Sequence, residues 1–224
     1  MTRTGGLRYD RYRFDGHSEW LTRIGPADGI PLLLIPPLFE EMNRSRALLV
    51  AAMRMLALEG FSCWLPDLPG TGESERALET CGWADWVGAV QAVADLARAG
   101  GGRLMVASLR GGTLLDDIAG AARWRLAPVD GASLARDLDR SGLGGGDGQA
   151  GYPMSQAMRG GLLDAVPLDA APCRVVRLAS NPKPADAKLD GPALWRRSEP
   201  SSSSELAGSM ASDISKWALS CDIC

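Results

Sequence analysis

Short apolar runs closed by turn residues, alternating with stretches of helical spacing, constrain this chain more than any other feature. The first holds Leu32, Leu33, Leu34 and Ile35 between Pro31 and Pro36. It is continuous rather than alternating, as in a strand buried on both faces. Residues 61–66, 104–107, 124–129 and 173–179 repeat the pattern. Between them, Leu48, Ala52, Met55 and Leu56 fall at helical spacing over residues 43–59, stopped by Gly60. Trp83, Trp86, Val87, Val90, Val93 and Ala94 do the same over residues 83–99, closed by Gly100, Gly101 and Gly102. Strand alternating with helix, on connections long enough to cross over, implies an α/β fold: a mostly parallel central sheet with helices on both faces. Residues 11–24 add an opening hairpin broken at Gly16, and Ser201 to Ser204 ahead of Glu205 cap a final helix through Trp217.

With 224 residues, 46% hydrophobic and 23% charged, the chain is expected to form a single domain over 1–224. Residues 130–172 read as a looser lid or insert and 218–224 as a frayed tail. In the insert, the glycine tract at 141–148 has no leading strand and no lysine, and reads as a loop rather than a phosphate cradle. Met154, Met158, Leu162 and Leu163 mark a short amphipathic helix; its methionines read as core packing, with a mobile lid over a lipophilic ligand as the alternative.

The net charge of −3 with scattered basic residues argues against nucleic acid as a partner. No run approaches the ~20 apolar residues of a membrane span and the start lacks an apolar leader core, so the protein is expected to be cytoplasmic and not membrane-spanning. Cys63 and Cys173 read as inert core thiols, and Cys221 with Cys224 as part of the tail rather than a redox or metal pair. No motif calls for a cofactor or a metal.

Residues 106–115 carry an apolar strand into a glycine-rich turn and then a helix expected over 113–118. Together with residues 34–46 and 65–74, residues 108–115 resemble the α/β-hydrolase-fold proteins called exosortase A system-associated hydrolase, type 2. Residues 124–131 and 194–200 are similar as well. The resemblance implies a bacterial cytoplasmic protein linked to exopolysaccharide production and surface-protein export, with export-locus proteins as partners.

In that fold a strained turn lifts one side chain to the top of the sheet and needs small neighbours on either side. Ser108 at the apex puts Val106 before it and Arg110 after it, a poor steric fit. Leu109 gives Ala107, Gly111 and Gly112 but no nucleophile. Arg110 gives Ser108, Gly112 and Thr113, matches the family pattern, and ranks first. A serine nucleophile also needs a histidine late in the chain, and the sole histidine is His17, read as a surface turn residue.

Charge therefore dominates the expected site. Glu40, Glu41 and Asn43 follow the first buried strand, and Glu199 falls where the histidine loop should be. Arg110 is expected to pair with Glu40 or Glu41 and to present its guanidinium to an anionic, acyl or glycan ligand, the alternative being a structural ion pair. Candidate catalytic residues are Ser108, Arg110 and Glu199, with Glu199 or Glu41 as an unusual base; candidate ligand-binding residues are Glu40, Glu41, Asn43 and Arg110. Asp67 to Ser74 reads as an internally bonded turn, and Asp186 and Asp190 as members of a solvated loop. A non-standard hydrolase, a non-catalytic binder and a scaffold for the export locus all fit these residues.

Overall fold

The structure, a computed structural model, describes residues 6–140 and 152–221. β1 (Arg8–Phe14) and β2 (His17–Ile24) form the expected hairpin, in register from Arg8 opposite Arg23 to Phe14 opposite His17. Asp15 and Gly16 turn it at φ 47° and 77°, the left-handed pair whose twist matches that of flanking strands. β3 (Ile30–Ile35), β4 (Phe61–Pro66), β5 (Met105–Leu109), β6 (Ala122–Leu126), β7 (Cys173–Leu178) and β8 (Ala187–Leu189) complete one sheet in the order β1-β2-β4-β3-β5-β6-β7-β8. The β1–β2 and β2–β4 pairs are antiparallel, and every other pair is parallel.

Period-two alternation sorts the central strands between two cores. Leu32 and Leu34 of β3, Ala107 and Leu109 of β5, and Trp124 and Leu126 of β6 face α1 (Glu40–Leu58) and α5 (Ser204–Ser220). Leu33, Ile35 and Val106 face α2 (Trp83–Arg98), α3 (Gly131–Arg140) and α4 (Gln156–Asp164). Ser203 caps α5 by accepting from the Leu206 amide at 3.2 Å. Asp213 of α5 takes Arg174 of β7 on both oxygens and accepts from Trp124 Nε1 of β6 at 2.7 Å, tying the helix to two strands.

Several expectations need correction. α1 begins at Glu40, so Glu40 and Glu41 lie in its first turn rather than in a loop. No helix spans 113–118; a single 3-10 turn, Arg110–Leu114, is followed by irregular backbone to β6. Gly111 and Gly112 are weak helix formers, and Asp116 is drawn inward to buried arginines. α5 continues to Ser220 with Ala218 buried, so helix reaches into the stretch expected as a tail; Cys224 and the glycine tract lie outside the described residues. The stretch after β7 contains β8, and Asp186 accepts from the Val175 amide at 2.7 Å. Cys63 is fully buried but Cys173 only partly. Other expectations hold: Met158 and Leu162 are core residues, and Asp67 to Ser74 bond among themselves, Asp67 accepting from Glu73 and Ser74 from Gly70.

Candidate functional site

The site is built at the carboxyl ends of β5, β6 and β7. Such ends leave a crevice in an open α/β sheet because the connections there must part to reach opposite faces. Arg110 follows β5 directly at φ 51°, a left-handed conformation that costs a residue with a Cβ about 1–2 kcal/mol. Small neighbours allow the turn. A Cβ on Gly112 would lie 2.3 Å from the Pro36 carbonyl oxygen, and one on Gly111 would lie 2.5 Å from Leu134 Cδ2. Thr113 closes the turn by donating its hydroxyl to the Arg110 carbonyl at 2.8 Å.

The raised guanidinium is held, not free. Arg110 Nη2 donates to Glu41 Oε1 at 2.9 Å, and Nε reaches Oε1 at 3.2 Å and Oε2 at 3.1 Å. Asp137 of α3 stands 3.8 Å from the same Nη2, and the group lies 5.7 Å from the Trp195 ring centroid. Burial raises the Glu41 carboxyl above its ordinary value, opposed by Arg110 and Arg44 and reinforced by Asp137. Glu40 is turned elsewhere: it accepts from the Tyr152 hydroxyl at 2.9 Å and sits 3.6 Å from Arg44 Nε.

Three cavities meet at Arg110 and Arg196. One of about 470 Å³ opens toward Glu40, Glu41 and Arg44. A second of about 520 Å³ extends over Arg125, Arg177 and Lys183, and a third of about 280 Å³ lies between Leu178 and Trp195. α3 forms a wall of the first two through Asp137.

Ser108, a candidate from the sequence, lines none of the three cavities. Ser108 is fully buried on the sheet face below the turn and donates its hydroxyl to Asp116 Oδ2 at 2.6 Å. Asp116, itself fully buried, takes Arg125 Nε at 2.8 Å and Nη2 at 2.6 Å, while Arg123 Nε donates to its carbonyl at 2.9 Å. Ser108 thus completes a buried ion pair and presents nothing to the cavities. Glu199 is exposed and lines none of the three cavities, and Asn43 is exposed, 3.5 Å from Glu40. Of the expected set, the structure brings together Arg110, Glu41 and, at the rim, Glu40.

Sequence reasoning missed Trp195, Arg196, Asp137, Arg177 and the Asp116 network. A signal existed for the last: Arg123 and Arg125 interrupt a buried strand, and buried charge demands a partner. Among the described residues no cluster of three or more His, Cys, Asp or Glu side chains is placed to hold a metal ion.

Solved structures share this architecture over nearly their whole length. Est1E from Butyrivibrio proteoclasticus with ferulic acid bound aligns at a TM-score of 0.63 with 16% identity, covering 94% of this chain and 98% of that one. A putative hydrolase from Agrobacterium vitis S4 aligns at 0.62 with 14% identity over 96% and 99%. The thioesterase domain from the curacin biosynthetic pathway aligns at 0.57 with 15% identity over 94% and 99%. The fold is that of the α/β-hydrolases. Against epoxide hydrolase VrEH1 from Vigna radiata the chain spans only 40% of that protein's length, at a TM-score of 0.44 and 16% identity over 55% of this chain. No protein-family model and no curated protein matches the sequence.

In the α/β-hydrolase fold the strained turn after the central strand carries the nucleophile, and the triad histidine follows later in the chain. Here that turn carries Arg110. His17, the sole histidine, begins β2, which β4 and β3 separate from β5. A guanidinium cannot act as a nucleophile at ordinary pH, whereas it is well suited to hold carboxylate, sulfate or phosphate oxygens.

Proposed function

We propose that this α/β-hydrolase-fold protein is a non-catalytic binder of an anionic acyl or glycan ligand, held at the cleft where a hydrolase would cleave it. One observation carries the reading: the turn after β5 raises Arg110, not a nucleophile, with its guanidinium braced by Glu41 and bordering three cavities. Bracing restricts the guanidinium and lowers the entropy cost of fixing it on a ligand. The sequence resemblance supports a cytoplasmic role beside exopolysaccharide and surface-protein export, with export-locus proteins as partners. α3 then serves as the lid-side wall of the cleft.

A thermal-shift panel of acylated and acidic-glycan ligands tests this with wild type and Arg110→Ala. At least one ligand is expected to raise the melting temperature of wild type and to lose most of that effect in the variant; equal shifts for both proteins across the panel would sink the idea. A second reading rests on the raised Glu41 carboxyl, which could serve as a base in a non-standard hydrolase. Ester or glycoside turnover by wild type that disappears in Glu41→Gln would favour it.

A further inference from the structure

The cavity of about 520 Å³ is lined by Arg110, Arg125, Arg177, Lys183 and Arg196 against Asp130, Asp137 and Asp169. Two of these cations are already matched, Arg125 by Asp116 and Arg110 by Glu41. Two of the acids are engaged as well: Asp130 accepts from the Ser133 amide and hydroxyl, and Asp137 pairs with Arg140. Arg177, Lys183 and Arg196 have no carboxylate partner in an ion pair among the described residues. Arg177 is half-buried, spends its Nε on the Pro184 carbonyl at 3.1 Å, and has its pKa lowered by burial and by the facing charge of Arg110. Like charges thus face one another across a cleft in a chain whose net charge is −3. Lys183 and Arg196 are exposed and Asp169 stands near them with no ion pair among the described residues, so the group that an anion would stabilise most is the half-buried Arg177 facing Arg110.

We infer that this cavity takes a small molecule through a phosphate group carrying two negative charges, held by Arg177, Arg196 and Lys183 with Arg110 at its inner edge. The inference rests on the reading of the Arg110 cleft as a binding site and names its ligand class. Planar guanidinium forks meet two phosphate oxygens at once, and Lys183 adds a point charge at the exposed rim. The volume lies within the range of small-molecule pockets.

Calorimetric titration of the full chain at constant ionic strength tests it, with pyrophosphate, glucose 1-phosphate and glucose as probes. Both phosphates are expected to bind and glucose to give no signal. Arg177→Gln and Arg196→Gln should each weaken phosphate binding on the order of tenfold, and Lys183→Gln less. Arg196 and Lys183 are exposed, so their double variant keeps the question open to decision if Arg177→Gln fails to fold. Absence of phosphate binding, glucose binding equal to that of glucose 1-phosphate, or full retention of phosphate affinity in the variants would overturn the inference. The two readings fail separately. Arg110-dependent binding of a sulfated or carboxylated glycan without phosphate binding removes this inference alone. Phosphate binding lost in Arg177→Gln but unchanged in Arg110→Gly keeps the phosphate on Arg177, Arg196 and Lys183, takes Arg110 out of that site and removes the apex reading.

Discussion

At the scale of single residues, Arg110 carries both strain and charge, and substitutions can separate them. Arg110→Gly and Arg110→Ala lose the same ion pair with Glu41, but only alanine keeps a Cβ at φ 51°. Glycine is therefore expected to be the more stable variant by about 1 kcal/mol in urea unfolding; equal midpoints would contradict a left-handed apex. Ser108 and Asp116 give the opposite kind of test. Ser108→Ala removes one hydrogen bond to a charged acceptor, a loss of about 1.5–3 kcal/mol, and should leave ligand affinity intact. Asp116→Ala strands Arg125 and weakens the hold on Arg123 in the interior, and should cost about 3–5 kcal/mol. A variant of Ser108 that folds normally but loses all binding or turnover would reverse this assignment.

At the scale of elements, the 3-10 turn after β5 depends on how closely it approaches β3. Gly112→Ala would press a Cβ against the carbonyls of Ile35 and Pro36 and is expected to cost about 1–3 kcal/mol, read by thermal unfolding. The clamp of α5 on β6 and β7 responds to pH. Burial raises the Asp213 carboxyl, but hydrogen bonds from Arg174 and Trp124 more than offset this and leave it below its ordinary value. Its contribution is therefore full above the unfolded carboxylate pKa and lost as pH falls through the lowered one. The stability gap between wild type and Asp213→Asn should be constant near neutrality and close in acid; a gap independent of pH would remove the clamp. Most of the sheet and its helices were legible because β3, β4 and β5 are continuous apolar runs and α1 and α2 are periodic. The expected helix over 113–118 was not, because Leu114, Leu115 and Ile118 imitate helical spacing while being buried from irregular backbone. Arg110 at the turn was read from the family pattern together with its small neighbours, which by themselves suited Leu109 as well. Its choice of Glu41 over Glu40 was not, since consecutive residues in a helix differ by about 100° in direction and the sequence does not show which faces the turn.

At the scale of the whole molecule, an acidic chain gathers cations at the carboxyl ends of β5, β6 and β7, with Arg110 at the turn that follows β5. Glu41 is the internal competitor for any anion on Arg110, with Asp137 and Arg44 beside it. Its raised pKa means that acidification neutralises it while Arg110 keeps its charge. Binding of a sulfated ligand, whose own charge is constant over this range, should therefore strengthen as pH falls through the Glu41 pKa, and Glu41→Gln should abolish the trend. The most direct test of an anion-binding apex is calorimetric titration of wild type and Arg110→Gly with the same anionic ligand in low salt. The affinity is expected to fall on the order of tenfold or more in the variant, whose backbone at the turn is unstrained. Equal affinities would show that the anion is held without Arg110 and would contradict the assignment of this turn as a binding site.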